Sequence, residues 1–280
     1  MKRRSIKWGS IPAVLAGLAS LLLAAATAVY AQSKPKMVPA EFKPPNWEDG
    51  TVWNFGIYDK ALNRIGTAAY KVVLDPEAGP TNYTIRYNAK SADMAEASTC
   101  IVDKKSLLPV RSSRKLSQGG SDYFTNVSYG PGFVKVSKRR DNGAISEETI
   151  PADTSANLFD FEQLLPILPQ IQWSGRTSVY FYIFIASRRT TSWVTVEDLG
   201  PETISYKERI WRCRKLSMRS DVGDQYVWMT IWNGRSRIAK FDGGGYLFID
   251  LDLPSTGTQA DLQGKMSLED AMSAAGAPVG

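Results

Sequence analysis

The chain has 280 residues, 34 basic and 28 acidic, with no histidine and two cysteines, for a formal charge of +6. The absence of histidine excludes the Ser-His-Asp and Cys-His nucleophile designs, in which an imidazole takes and returns a proton near neutral pH. It also removes the commonest zinc and copper ligand, and Cys100 and Cys213 are too far apart in sequence to form a metal-type pair. No metal and no other cofactor is therefore expected.

Residues 1–31 read as an export signal. Lys2, Arg3, Arg4 and Lys7 make a basic start, and Ile11 to Ala28 is an Ala/Leu-rich apolar run. Val29-Tyr30-Ala31 then offers small residues at −3 and −1 before Gln32. Cleavage after Ala31 removes four cations and leaves 249 residues with a charge of +2. The basic balance thus belongs mainly to the targeting segment, and no nucleic-acid partner is expected. The alternative is an uncleaved N-terminal anchor, since Ile11 to Val29 approaches the roughly 20 residues that span a bilayer. Pro12, Gly17 and Ser20 make a weak anchor, and cleavage leaves no stable transmembrane span. The expected location is the periplasm or the cell exterior.

Residues 32–49 form an extended lead-in punctuated by Pro35, Pro39, Pro44 and Pro45. From 50 to 253 the pattern is a single β domain. Trp53, Phe55 and Ile57 alternate with Asn54 and Gly56, and Tyr83, Ile85 and Tyr87 alternate with Thr84 and Arg86, giving strands with one apolar face. Asn142-Gly143 and Asn233-Gly234 are two-residue hairpin signals, because both positions tolerate positive φ. Short connections at this spacing predict an antiparallel meander. One segment departs from it: Leu158, Phe159, Phe161, Leu164 and Leu165 fall near helical spacing. Ser155 or Asn157 could cap such a helix, and Pro166 and Pro169 would end it. A helix over 157–165, laid against the sheet as a plug, is expected.

The strongest local signal is Ser178 to Ala186, apolar on both faces, with Tyr226 to Trp232 similar. Such strands are either covered on both sides or line an apolar cavity. The cavity wall would come from Tyr180, Tyr182, Phe184, Trp228 and Trp232, or from the opposite face through Phe181, Ile183, Val227 and Met229. From 254 to 280 the chain is rich in Ser, Gly, Ala and Thr and reads as a flexible tail, with a short helix around 267–275. In an oxidising compartment Cys100 and Cys213 either form a disulfide, with roughly 4–5 kcal/mol of chain-entropy stabilisation, or stay as buried thiols.

Several blocks carry a family resemblance. They are Asp103 followed by Leu107-Leu108-Pro109-Val110, the Leu/Pro-rich stretch from Leu164 to Pro169, and the late run from Glu208 through Trp211–Leu216 to Tyr226-Val227-Trp228 and Ile238–Phe241. The chain resembles an uncharacterised family of exported bacterial proteins, a domain of unknown function. That family is distantly similar to the half-barrel periplasmic lipoprotein carriers. The resemblance implies a mainly β fold, a strongly curved antiparallel sheet forming a half-barrel or open barrel, with one helix packed in or across its concave side. It defines no catalytic residue.

Three functions follow as expectations. The first is a non-enzymatic periplasmic protein that binds or carries a lipid-like apolar ligand in the concavity. The second is a cell-envelope structural or assembly protein with a filled core and an envelope protein partner. The third is a carboxylate-based carbohydrate-active or sugar-binding protein using acids such as Asp160, Glu162, Glu197 and Asp198, with Trp193 stacking on a sugar ring.

Overall fold

Tyr83, Ile85, Tyr87 and Ala89 are buried while Arg86, Asn88 and Lys90 are exposed, and this alternation recurs through a computed structural model of the chain. The structure describes residues 37–45, 47–140, 143–153, 157–221 and 223–262. The export signal, Asn142, Ser155 and the 267–275 segment lie outside the described residues.

Two short strands, β1 (Val38–Pro39) and β2 (Glu41–Phe42), precede a first meander. It comprises β3 (Val52–Tyr58), β4 (Arg64–Val73), β5 (Asn82–Ser91), β6 (Met94–Asp103), β7 (Pro109–Gln118), β8 (Ser121–Gly130), β9 (Phe133–Arg140) and β10 (Ile145–Pro151). The plug follows: β11 (Leu158–Asp160), one 3-10 turn, the four-residue α1 (Leu164–Ile167), a second 3-10 turn and β12 (Ile171–Gln172). A second meander holds β13 (Ser178–Ile185), β14 (Thr190–Tyr206), β15 (Arg209–Ser220), β16 (Gly223–Trp232), β17 (Arg235–Asp242) and β18 (Leu247–Asp250).

The two meanders join into one sheet because β18 pairs with β3, matching Phe248 to Ile57 and Asp250 to Phe55. β1 and β11 add in parallel to the outer edge of β13, and β12 pairs separately with β2. Asn233 and Gly234 carry φ of 50° and 72° in the two-residue turn between β16 and β17, as the sequence predicts.

The sheet is not closed into a barrel; its ends overlap. Cys100, Ser112, Val127 and Val136 form one cross-strand row on the inner face of β6 to β9. Val127, Val134 and Val136 pack on Leu158 and Phe184, which lie on the face of β11 and β13 opposite to Phe159, Phe181 and Ile183. The first meander therefore laps over the back of β11 and β13, and no backbone ladder joins β10 to the far edge among the described residues. Arg189 to Glu148 (2.7 Å), Arg189 to Ser146 Oγ (3.0 Å) and Lys138 to the Ser187 carbonyl (3.0 Å) cross the same seam.

The plug differs from the expected helix. Leu158 and Phe159 bury opposite faces, one under the lapping meander and one in the central core, which consecutive residues do in a strand and not in a helix. The cap is Asp160, whose side chain accepts from the turn while Gln163 returns the bond to its backbone. Pro166 sits inside the first turn of α1, where its missing N–H leaves no intrahelical bond unmade.

The C-terminal stretch expected to wander from Pro254 is tied down through Asp261. Pro254 O accepts from Trp211 Nε1 at 2.9 Å, Thr256 N donates to Ile210 O at 2.9 Å, and Arg212 grips Asp261 at 2.6 Å. Leu253 is buried with Trp211, Trp228 and Ile249 in a small core on the outer face of the second meander.

Candidate functional site

Between α1 and the inner face of the sheet lies a cavity of about 330 Å³. Its body is apolar: Ile57 from β3, Tyr70 from β4, Leu164 and Leu165 from α1, and Phe241 and Phe248 from β17 and β18. Each strand contributes its inward residue, so alternation along the chain is what builds the wall. Tyr70 and Tyr87 lie with ring centroids 4.6 Å apart, and Phe248 stacks on Phe55 at 5.9 Å. Ile65, Phe161 and Tyr246 also line it and are 45%, 36% and 40% exposed, so the cavity reaches solvent past apolar side chains. A wider trough of about 700 Å³ lies over outer-face residues such as Asn54, Ala69, Asn88 and Ala97. It is open and shallow and lacks an apolar enclosure.

One end of the enclosed cavity is charged. Arg114 on β7 donates from Nε to Glu96 on β6 at 2.6 Å and stands 3.5 Å from Glu162 in the 3-10 turn. Ser98 Oγ donates to Glu162 Oε2 at 3.1 Å. Burial, then the charges of Glu96 and Asp160, push the Glu162 carboxyl up to about 8, against the opposing pull of Arg114 and Ser98. Glu162 therefore holds a proton at neutral pH.

Asp160 sits behind this group. Its Oδ2 accepts from Ser112 Oγ at 2.5 Å and Tyr129 OH at 2.6 Å, and its Oδ1 from the Glu162 backbone N–H at 2.9 Å. Burial raises its carboxyl above the usual range despite these bonds. Gln163 donates to the Leu107 carbonyl at 2.7 Å and accepts from Cys100 Sγ at 3.4 Å. These contacts pin the plug to β6, β7 and β8, and so fix where Glu162 points.

The aromatics singled out in the sequence lie elsewhere. Tyr180, Tyr182 and Trp193 form an outer-face cluster on β13 and β14, Tyr180 stacking on Trp193 at 4.1 Å. Phe184 is fully buried under the lapping meander. Trp228 and Trp232 belong to the outer core beneath the C-terminal stretch. None of the five lines the cavity. The opposite set, Phe181, Ile183, Val227 and Met229, faces the central core that the cavity adjoins. Glu197 and Asp198 stand beside Arg219 and Arg214 on β14 and β15, away from the cavity lining.

The two cysteines form no disulfide. Cys100 is in the central core and Cys213 in the outer one, both as buried thiols. The sheet itself separates them. Glu96 and Arg114 were not singled out by sequence reasoning, although both share the inward parity of Cys100 and Ser112.

Among the described residues, no group of three His, Cys, Asp or Glu side chains could hold a metal, and no helix is long and apolar enough to cross a membrane.

The sequence pattern of a known family matches residues 54–239, two-thirds of the chain. The chain belongs to the family described as "Protein of unknown function (DUF3108)". The matched region of this DUF3108 chain runs from β3 to β17 and contains the plug and the charged group. A solved structure similar to it is the beta-barrel-like protein of domain of unknown function DUF1849 from Brucella abortus. That likeness has a TM-score of 0.42 and 9% identity, covering 71% of this chain and 93% of the other. No curated protein matches the sequence.

Proposed function

We propose that this is an exported, non-enzymatic envelope protein that binds or carries a single-tailed amphiphile, with the tail in the cavity under α1. The observation that supports it is an apolar cavity, open past Ile65, Phe161 and Tyr246, with the charged group of Glu96, Arg114 and Glu162 in its wall. A volume of about 330 Å³ lies at the low end of the roughly 300–1,000 Å³ of small-molecule sites, so it suits one chain rather than several. Each methylene moved from water into such walls contributes about 0.8 kcal/mol, which supplies affinity without any catalytic group. Asp160 spends its oxygens on Ser112, Tyr129 and the turn backbone, which fits a structural role rather than an acid–base one.

Native mass spectrometry of the protein from a periplasmic extract tests this reading. An added mass that denaturation releases as an amphiphile is expected, and Ile65→Glu at the exposed rim should lower its occupancy with the fold intact. A polypeptide that stays bare after incubation with envelope lipids would overturn it in favour of an assembly protein.

A further inference from the structure

The charged end of the cavity is short of positive charge. Two carboxyl groups, Glu96 on β6 and Glu162 in the turn after β11, flank one guanidinium, Arg114, whose Nε is committed to Glu96 at 2.6 Å, and the carboxyl of Asp160 lies behind them. Tyr70, Tyr87 and Tyr246 face the same space, and burial keeps all three as neutral phenols. Cys100 and Tyr129, beside Asp160, are held neutral in the same way. Lys138, which feels Arg114 through space, gives its ammonium to the Ser187 carbonyl. Glu162 is thus left with the Ser98 hydroxyl and a 3.5 Å approach to an Arg114 already in use.

A carboxyl removed from water without a cation of its own is the partner that a desolvated ammonium requires. Glu162 is buried as the neutral acid, so a cationic head gains the pairing as the carboxyl gives up its proton and the head its hydration.

We propose that the cavity selects an alkylammonium amphiphile, its cationic nitrogen paired with Glu162 and its tail along Tyr70, Phe241 and Phe248. This rests on the binding function proposed above. The proton held by Glu162 leaves to solvent as the ammonium arrives, so the bound pair is carboxylate and ammonium and charge balances.

The test compares decylammonium, decanol and decanoate, which share one tail, by titration calorimetry on the exported protein at pH 7 in two buffers of different ionisation enthalpy. Decylammonium should bind at least about tenfold tighter than decanol, as for a charge pair in a desolvated site, and release protons. In Glu162→Gln that advantage should fall below about twofold and the proton release vanish, while decanol binds as before and so reports an intact cavity. Decanol binding with no ammonium advantage, tighter decanoate binding, or an advantage that survives Glu162→Gln would overturn the selectivity and leave the binding function standing. Failure of all three ligands to bind would remove both.

Discussion

Arg189 Nη1 lies 2.7 Å from Glu148 Oε2, an ion pair across the seam where the end of the first meander laps over β13. Both side chains are more than a third exposed, and the apolar contacts of Phe184 with Val134 and Val136 lie beneath them. Arg189→Ala should change stability by no more than about 1 kcal/mol, as for exposed ion pairs. Phe184→Ala should cost about 3–5 kcal/mol, as for a fully buried aromatic. Urea unfolding of the two variants checks this, and comparable losses would mean that the seam is held by charge.

Stability should fall as pH rises through the window set by Glu162. Its carboxyl is raised from 4.5 to about 8 in the fold, so the folded state holds a proton that the unfolded chain has released. Stability from this group is full below about pH 4.5 and declines by about 1 kcal/mol per pH unit towards pH 8. Glu162→Gln mimics the protonated acid and should flatten that slope. Denaturation curves between pH 5 and 8 decide it, and parallel profiles would refute it.

Asp160→Ala should destabilise by about 2–4 kcal/mol. The substitution removes the cap of the plug and strands the hydroxyls of Ser112 and Tyr129. Asn at the same position should recover part of the loss, since it keeps one acceptor oxygen. Thermal unfolding of both variants is the measurement.

Both thiols should be silent towards a thiol reagent in the native protein and react fully in denaturant. Burial pushes Cys213 up to about 12 and Cys100 well above its usual range, so neither offers thiolate at neutral pH. Reduction should leave the mass and the unfolding midpoint unchanged. A deficit of about two mass units, reversed by reductant, would contradict the separation of Cys100 from Cys213 across the sheet.

Much of the sheet could be read from alternation alone, because Tyr83-Ile85-Tyr87 and Trp53-Phe55-Ile57 bury a face by local pattern. Asn233-Gly234 set its turn for the same reason. The site was less legible because it depends on register between strands. Glu96 lies in Met94-Ala95-Glu96-Ala97-Ser98, where small residues on both sides hide which face turns inward. Arg114 lies among exposed-looking serines and cations. Only the pairing of Ser98 with Arg114 and of Cys100 with Ser112 places them on the inner face. The aromatics of β13 misled for the opposite reason. They mark a strand covered on both sides, and the cover over Phe184 is a part of the same sheet more than 40 residues earlier in the chain.

The junction of β18 with β3 sets the order in which this protein can fold. It pairs Asp250 with Phe55, so the first meander is complete in sequence long before the strand that shields its β3 edge has been made. Until then Val52–Tyr58 offers an unpaired backbone edge and apolar side chains to any other chain. Closing a loop of nearly 200 residues should make this contact a late, slow event of folding. Chains ending before Leu247 should accumulate as two half-sheets with sticky margins, captured by chaperones or lost to aggregation, rather than as a smaller stable domain.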